Sequence, residues 1–129
     1  MKTFTIKQVV NGTNLCLTVR GKMKLAEMLP CGVVEMNQKW RVTRKGYIRS
    51  AKFRKFCLVP KTIEDNALIG ISKNCFKSWL FTERGQIRFG ASPYNIVYDR
   101  AEMDNPIRLS TIIKSKGNLL GSTWIIDGL

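Results

Sequence analysis

The sequence has 129 residues, of which 44% are hydrophobic, and these values are those of one globular domain with a core of its own. No apolar run approaches the roughly 18 residues that a membrane-spanning helix needs, and the absence of histidine excludes imidazole-based catalysis and disfavours a zinc site. Lysine and arginine total 22 against 9 aspartate and glutamate residues, so the net charge is +13 and anionic partners are expected.

Short strand-like segments run along the whole chain, separated by turn residues such as Asn11-Gly12 and Arg84-Gly85. Many of them alternate apolar and polar residues, and no helical period survives over about ten residues. We therefore predict an all-β protein with twelve strands. The predicted strands cover residues 3–10, 15–19, 24–29, 38–43, 47–50, 56–60, 67–72, 78–82, 86–90, 95–99, 107–113 and 122–126.

Aromatic residues recur at a period close to one third of the chain. Trp40 is followed by Phe81 after 41 residues, and Phe81 is followed by Trp124 after 43. The pair Cys16-Leu17 is repeated as Cys57-Leu58, again after 41 residues. Such a period indicates three copies of one supersecondary unit, each too small to bury its own hydrophobic face.

The repeats are placed at about residues 1–43, 44–83 and 84–129 of a single domain that spans residues 1–129. Threefold repetition of short strands favours a closed barrel over a sandwich. Large apolar residues at matching positions would converge near the threefold axis. We therefore expect the core to contain Trp40, Phe81 and Trp124.

The four cysteines fall as two pairs, one pair in each of the first two repeats. Pairing within the repeats would link Cys16 to Cys31 and Cys57 to Cys75, and each link would stabilise the fold by about 3 kcal/mol in the chain-entropy model. Disulfides favour a secreted or extracellular location. The opening residues carry no signal-peptide pattern. We therefore expect either a mature secreted form or, as the alternative, free thiols in an intracellular protein.

The positive charge is concentrated between Glu35 and Glu64, where nine basic residues and no acidic residue occur. This stretch is expected to form a basic face that binds polyanions such as heparin-like glycans. The alternative is a solvated surface that only increases solubility. The aromatic residues Tyr47, Phe53 and Phe56 lie in the same stretch, so base stacking is a further possibility. The predicted polyanion-binding residues are Arg44, Lys45, Arg49, Lys52, Arg54 and Lys55.

The motifs of the first repeat resemble those of the ricin-type β-trefoil, or R-type lectin, family. That family carries in each repeat a Cys-Leu-x-Val strand, a second cysteine and then Gln-x-Trp. The first repeat has Cys16-Leu17-Thr18-Val19, Cys31 and Gln38-Lys39-Trp40. The later repeats keep fewer of these residues. The resemblance covers essentially the whole chain and implies a β-trefoil of twelve strands in three pseudo-symmetric repeats.

The resemblance also implies where a sugar would bind. In R-type lectins an aspartate lies two residues after the first cysteine, an aromatic residue two before the second cysteine, and an asparagine three before the tryptophan. Asn37 retains the asparagine of the first repeat, but Thr18 and Leu29 replace the other two residues. The second repeat has Val59 and Lys73 at those positions. No repeat carries a complete pocket.

In the third repeat, Asp99 aligns with the sugar-binding aspartate, while Gly121 stands where the asparagine belongs. Asp99 with nearby Asn118 is thus the best remnant of a pocket, and Asn37 and Gln38 are further candidates for carbohydrate binding.

No nucleophile–base pair or phosphate-binding loop is present in the sequence. The prediction is therefore a non-enzymatic, lectin-like module without a metal or cofactor that binds glycans, anionic ones in particular. The alternative is a β-trefoil that has lost sugar binding and uses its basic face to meet a protein or a nucleic acid.

Overall fold

The computed structural model describes residues 2–99, 107–111 and 121–128, and within them it contains twelve β-strands. All twelve predicted strands have a counterpart, so the all-β prediction is confirmed. The strand predicted to begin at residue 38 begins at Trp40, because Gln38 is the last residue of a 3₁₀ helix, Glu35–Gln38. The strands are β1 Thr5–Val10, β2 Thr13–Thr18, β3 Glu27–Pro30, β4 Trp40–Val42, β5 Ile48–Ser50, β6 Cys57–Pro60, β7 Ile69–Ser72, β8 Trp79–Phe81, β9 Ile87–Phe89, β10 Asn95–Tyr98, β11 Ile107–Ser110 and β12 Ile125–Asp127.

The strands form three antiparallel sheets of four, in the orders β12-β1-β2-β3, β4-β5-β6-β7 and β8-β9-β10-β11. Each sheet takes its first strand from the end of the preceding repeat. The first sheet shows this most clearly, because Thr5 of β1 pairs with Asp127 of β12. The hydrogen bonds of each sheet therefore join two sequence repeats.

The first two strands of each sheet close into a six-stranded barrel, because backbone hydrogen bonds also join neighbouring sheets. These strands are β12, β1, β4, β5, β8 and β9. Phe4 and Trp40 exchange two bonds of 2.9 Å, which link β1 to β4. The Trp79 N–H donates to the Gly46 carbonyl at 2.9 Å, and the Trp124 N–H donates to the Gly85 carbonyl at 2.7 Å. A closed barrel leaves no edge strand exposed.

Gly46 and Gly85 occupy the same position in two hairpin turns, with positive φ angles of 84° and 79°. Glycine adopts this conformation without the cost that a β-carbon brings. A β-carbon at Gly46 would also lie 2.8 Å from the Ser78 Cβ, and one at Gly85 would lie 3.0 Å from the Trp124 carbonyl oxygen. Both glycines therefore allow the close approach that links the sheets.

The hairpins β2–β3, β6–β7 and β10–β11 meet beyond one end of the barrel. The Ala26 N–H donates to the Ile69 carbonyl at 2.8 Å, and the Leu109 N–H donates to the Ala67 carbonyl at 2.9 Å. The Asn66 N–H also donates to the Leu109 carbonyl. The three hairpins thus form a cap whose backbone groups satisfy one another.

Three tryptophans make the same contact in the three repeats. The indole Nε1 groups of Trp40, Trp79 and Trp124 donate to backbone carbonyls at 3.1, 2.9 and 2.9 Å. The acceptors are Leu17, Leu58 and Ile96, which occupy the matching position in β2, β6 and β10. All three indoles are at most 5% exposed. Each buried N–H has a partner, as a buried indole requires.

The alignment of Phe81 with Trp40 and Trp124 is therefore wrong by two residues, because Trp79 makes the equivalent contact. Phe81 is only partly buried. Its ring meets that of Phe4 edge to face, with the centroids 6.1 Å apart. A constant repeat length placed the equivalent of Trp40 at Phe81, because the stretch from the carbonyl acceptor to the tryptophan is 21 residues in the second repeat and 23 in the first.

The four cysteines form the two disulfides Cys16–Cys31 and Cys57–Cys75, as predicted. Strand pairing places Asn95 at the matching position of the third repeat, since Lys7, Arg49 and Arg88 face Cys16, Cys57 and Asn95.

No described helix is long and apolar enough to cross a membrane.

Candidate functional site

The strand register locates the three positions that correspond to the sugar-binding aspartate. They lie two residues after Cys16, Cys57 and Asn95, and they hold Thr18, Val59 and Val97. These side chains are 0%, 4% and 2% exposed. None carries a carboxylate, and none reaches the surface.

Asp99 does not occupy that position, because it lies four residues after Asn95 and the prediction required two. Asp99 was misaligned because the third repeat has Asn95, not a cysteine, at the position that marks the register in the first two repeats. As at Phe81, a constant repeat length was assumed. Asp99 follows β10 and is partly exposed. Asn118 lies outside the described residues, so the predicted pairing of Asp99 with Asn118 stays a prediction.

Gln38 is a structural residue in the first repeat. It is 1% exposed, and its Nε2 donates to Thr18 Oγ1 at 3.1 Å and to the Pro30 carbonyl at 3.0 Å. Its Oε1 accepts the Gly32 N–H at 2.8 Å. Asn37 is partly buried and donates from Nδ2 to the Val19 carbonyl at 2.9 Å. The two amides thus hold the 3₁₀ helix against β2 and β3.

Gly121 stands three residues before Trp124, where the family has an asparagine. A β-carbon at Gly121 would lie 2.3 Å from the Tyr98 carbonyl oxygen. The Gly121 carbonyl also accepts a hydrogen bond of 2.7 Å from Gln8 Nε2. The backbone of the third repeat therefore leaves no room for a side chain at this position.

A basic cleft of about 550 Å³ lies at the loop between β5 and β6 and is the strongest candidate site. The rings of Phe53 and Phe56 lie in its wall, with their centroids 6.5 Å apart and an interplanar angle of 69°. We call it the Phe53–Phe56 cleft. Its other lining residues are the five cations Lys22, Lys52, Arg54, Lys55 and Lys73, all of them exposed.

Ser50 fixes the loop that carries the two rings. Its Oγ accepts the Phe53 N–H at 2.9 Å, and its N–H donates to the Phe56 carbonyl at 3.0 Å. The Phe56 N–H donates to the Phe53 carbonyl at 2.9 Å. Both rings pack on the core from one side. A short, hydrogen-bonded turn thus presents two partly buried rings among exposed cations.

Two ammonium groups lie over the ring of Phe56. Lys22 Nζ is 5.3 Å and Lys73 Nζ 5.8 Å from the ring centroid. An ammonium within about 6 Å of a ring centroid is attracted by the π face. Lys22 comes from the loop after β2 and Lys73 from the loop after β7. The cleft therefore gathers cations from three separate loops.

The six residues predicted for the basic face do not form one group. Lys52, Arg54 and Lys55 line the cleft. Arg44 and Lys45 lie in the turn between β4 and β5, at the other end of β5. Arg49 lies within β5 and does not line the cleft.

Sequence reasoning missed Lys22 and Lys73 because both are distant along the chain from Phe56. The only sequence signal for the cleft was the occurrence of Phe53 and Phe56 among basic residues.

A second cavity, of about 300 Å³, lies beside the Cys16–Cys31 disulfide. Its lining includes Lys7 and Asp127, whose Nζ and Oδ2 atoms are 3.2 Å apart. Glu35 and Lys39 also line it. Cations and acids are thus balanced in this cavity, in contrast to the Phe53–Phe56 cleft.

A six-stranded barrel capped by three hairpins, with one tryptophan hydrogen bond per repeat, is a β-trefoil. The model of the ricin-type β-trefoil lectin domain matches residues 2–118. The chain belongs to the ricin-type β-trefoil lectin family, which confirms both the resemblance and the fold prediction. A comparison with curated protein sequences gave no match.

Solved structures share this fold at low sequence identity. The agglutinin from Abrus precatorius has a TM-score of 0.76 at 18% identity over 97% of this chain and 46% of its own, so this chain spans about half its length. The Macrolepiota procera ricin B-like lectin, solved with lactose, has a TM-score of 0.71 at 23% identity over 97% of this chain and 94% of its own. An earthworm lectin C-terminal domain mutant, solved with 6′-sialyllactose, has a TM-score of 0.65 at 16% identity over the full length of both chains.

Proposed function

We propose that the protein is a non-enzymatic, secreted glycan-binding module that recognises anionic glycans in the Phe53–Phe56 cleft. The observation that carries the proposal is the composition of this cleft, in which two aromatic rings and five cations, but no acid of the described residues, line one cavity. Membership of a lectin family supports carbohydrate as the ligand class. The two disulfides support an extracellular location.

The chemistry of the cleft suits a charged sugar. The apolar face of a sugar ring packs on an aromatic side chain, and carboxylate or sulfate groups bind lysine and arginine through charge-assisted hydrogen bonds. Phe53 and Phe56 are held by the hydrogen-bonded turn, whereas the cations around them are exposed. This combination favours recognition of charge and ring shape over a fixed pattern of hydroxyl groups.

The positions of the family pocket support the shift away from neutral sugars. Thr18 is buried and donates to the Cys16 carbonyl at 2.8 Å, so its hydroxyl is already bonded. Val59 and Val97 offer no hydrogen bonds from their side chains. A neutral galactoside would therefore find no carboxylate at these positions.

Single-stranded nucleic acid is the competing ligand for a basic cleft with aromatic rings. The two ammonium groups over Phe56 would meet a stacked base and a packed sugar ring alike, so the two ligands are separated by experiment. A partner protein with an acidic surface would bind the exposed cations without using the rings. Both alternatives give results that differ from those of a glycan in the experiment below.

Isothermal titration with a heparin-derived oligosaccharide tests the proposal. The variant Lys52→Gln/Lys55→Gln should bind about tenfold more weakly, because it loses two charge-assisted contacts. The matched control Arg44→Gln/Lys45→Gln removes the same charge from the other end of β5 and should bind nearly as the wild type. The affinity of the wild type should fall steeply with salt.

Phe56→Leu removes a ring and changes no charge, so it separates ring packing from charge. It should weaken oligosaccharide binding several-fold while leaving the protein folded in a thermal melt. Equal losses in the two double variants, or binding that is indifferent to salt, would overturn the proposal. Tighter binding of single-stranded RNA than of the oligosaccharide, lost in Phe56→Leu, would establish the nucleic-acid alternative instead.

A further inference from the structure

Two arginines face each other on the outer side of the second sheet. Arg41 of β4 and Arg49 of β5 are direct partners in the antiparallel register. Their neighbours Trp40, Ile48 and Ser50 are buried, so Arg41 and Arg49 point away from the core. Direct partners have β-carbons about 4.5–5.5 Å apart, and like charges at such positions destabilise a sheet.

Each of these arginines has a nitrogen that lacks a partner. The Nε atoms of Arg41 and Arg49 are shielded from solvent and form no hydrogen bond. In the parts of the chain that the structure describes, no carboxylate forms an ion pair with either guanidinium. The shielded Nε atoms are common to Arg88 as well, so what distinguishes Arg41 and Arg49 is that two cations are direct strand partners on the outer face of the sheet without a described carboxylate paired to either.

The corresponding places in the other sheets are built differently. In the first sheet, Lys7 takes the place of Arg49, and its ammonium is paired with Asp127. Thr43 takes the place of Asp127 in the second sheet, and its hydroxyl accepts the Tyr47 N–H at 3.1 Å. Among residues 2–99, 107–111 and 121–128, no acid is thus paired with the arginines at this place.

The third sheet provides the single-arginine case. Arg88 takes the place of Arg49, and its Nε is likewise shielded and unbonded. Its direct strand partner is Leu80, an apolar residue. The cation pair is therefore particular to the second sheet, while a lone arginine with the same backbone setting serves as a built-in control.

We infer that Arg41 and Arg49 together bind a tetrahedral oxyanion, a sulfate or phosphate group. A guanidinium presents several N–H donors in a planar fork that matches such oxygens, and one doubly charged group can accept bonds from both side chains while screening their repulsion. The inference goes beyond the Phe53–Phe56 cleft and does not depend on it, since neither arginine lines that cleft.

Titration with inorganic sulfate, followed through the Nε–Hε signals of ¹⁵N-labelled protein, tests the site directly. The signals of Arg41 and Arg49 should shift together and saturate, whereas that of Arg88 should not. Chloride at the same ionic strength is the reference for a general salt effect. Identical shifts with chloride, or equal shifts at all three arginines, would overturn the inference.

Variants provide a second measurement that does not depend on signal assignment. Arg41→Gln should bind sulfate roughly tenfold more weakly than the wild type, since charge-assisted hydrogen bonds are lost. Arg88→Gln should bind sulfate as the wild type does. Without sulfate at low salt, Arg41→Gln should melt at or above the wild-type temperature, because the like-charge repulsion is gone. An unchanged affinity in folded Arg41→Gln would contradict the site.

A sulfated disaccharide and its desulfated form distinguish the two sources of the anion. Tighter binding of the sulfated sugar than of inorganic sulfate, lost in Arg41→Gln, assigns the site to a glycan ester. Equal binding of the two assigns it to a free ion. Lys52→Gln/Lys55→Gln should leave sulfate binding at the arginine pair unchanged, so a failure here and a failure of the cleft proposal give different patterns.

Discussion

The first and second sheets share an interior but differ on their outer surfaces. Leu17 of the first sheet and Leu58 of the second accept equivalent indole hydrogen bonds, from Trp40 and Trp79, and each of the two sheets carries one disulfide. Outside, the first sheet pairs Lys7 with Asp127, whereas the second places Arg41 beside Arg49. The interior is constrained because buried polar groups need partners and the core must be filled. The outer face has no such constraint, so charge differences between repeats point to function.

Loss of the shared interior should have the largest effect. Trp79→Ala should lower the free energy of unfolding by about 3–5 kcal/mol, because it leaves a cavity and removes the partner of the Leu58 carbonyl. Phe81→Ala should cost less than half as much, since that ring is only partly buried. Urea denaturation of both variants measures the difference. Equal losses would show that Phe81 shares the role of Trp79.

The third repeat differs from the first at the family's asparagine position, where Gly121 replaces Asn37. Gly121→Ala should destabilise the fold by about 1–3 kcal/mol, because the added carbon would meet the Tyr98 carbonyl. Gly21→Ala is the matched control, since its nearest neighbour is the flexible side chain of Lys24. Thermal melts of the two variants measure the difference in stability. An unchanged melting temperature in Gly121→Ala would mean that the backbone near Tyr98 can move to make room for the added carbon.

The ion pair on the first sheet should have the smallest effect. Asp127→Asn should reduce stability by at most about 1 kcal/mol, because the side chains of Lys7 and Asp127 are 21% and 63% exposed. Denaturant titration at low and high salt measures the loss, which should shrink as salt is added. Glu83→Gln removes an exposed acid without an ion pair among the described residues and is the control. A larger loss, unaffected by salt, would show that Asp127 supports the closing strand in another way.

The strands could be predicted from the sequence because alternation of apolar and polar residues reports burial, and the disulfides because one pair of cysteines lies within each of the first two repeats. The register of the later repeats could not. The hydrogen-bonded tryptophan follows its acceptor by 23 residues in the first repeat, by 21 in the second and by 28 in the third. A constant period therefore shifted Phe81 and Asp99 by two residues each.

The candidate site was predictable only in part. Lys52, Arg54 and Lys55 belong to the same loop as Phe53 and Phe56, so the sequence already places them together. Lys22 and Lys73 reach the cleft from other hairpins, and no local pattern marks that approach. The facing of Arg41 and Arg49 likewise follows from strand pairing, which composition does not show.

The ladder between β1 and β12 has a consequence for folding kinetics. Lys7 and Asp127, which it brings together, are 120 residues apart in the chain. Pairings between such distant segments slow folding, and domains dominated by them fold in about milliseconds to seconds. Until β12 arrives, the outer edge of β1 stays open to a strand from another molecule. The barrel is therefore completed only when nearly the whole chain has been assembled.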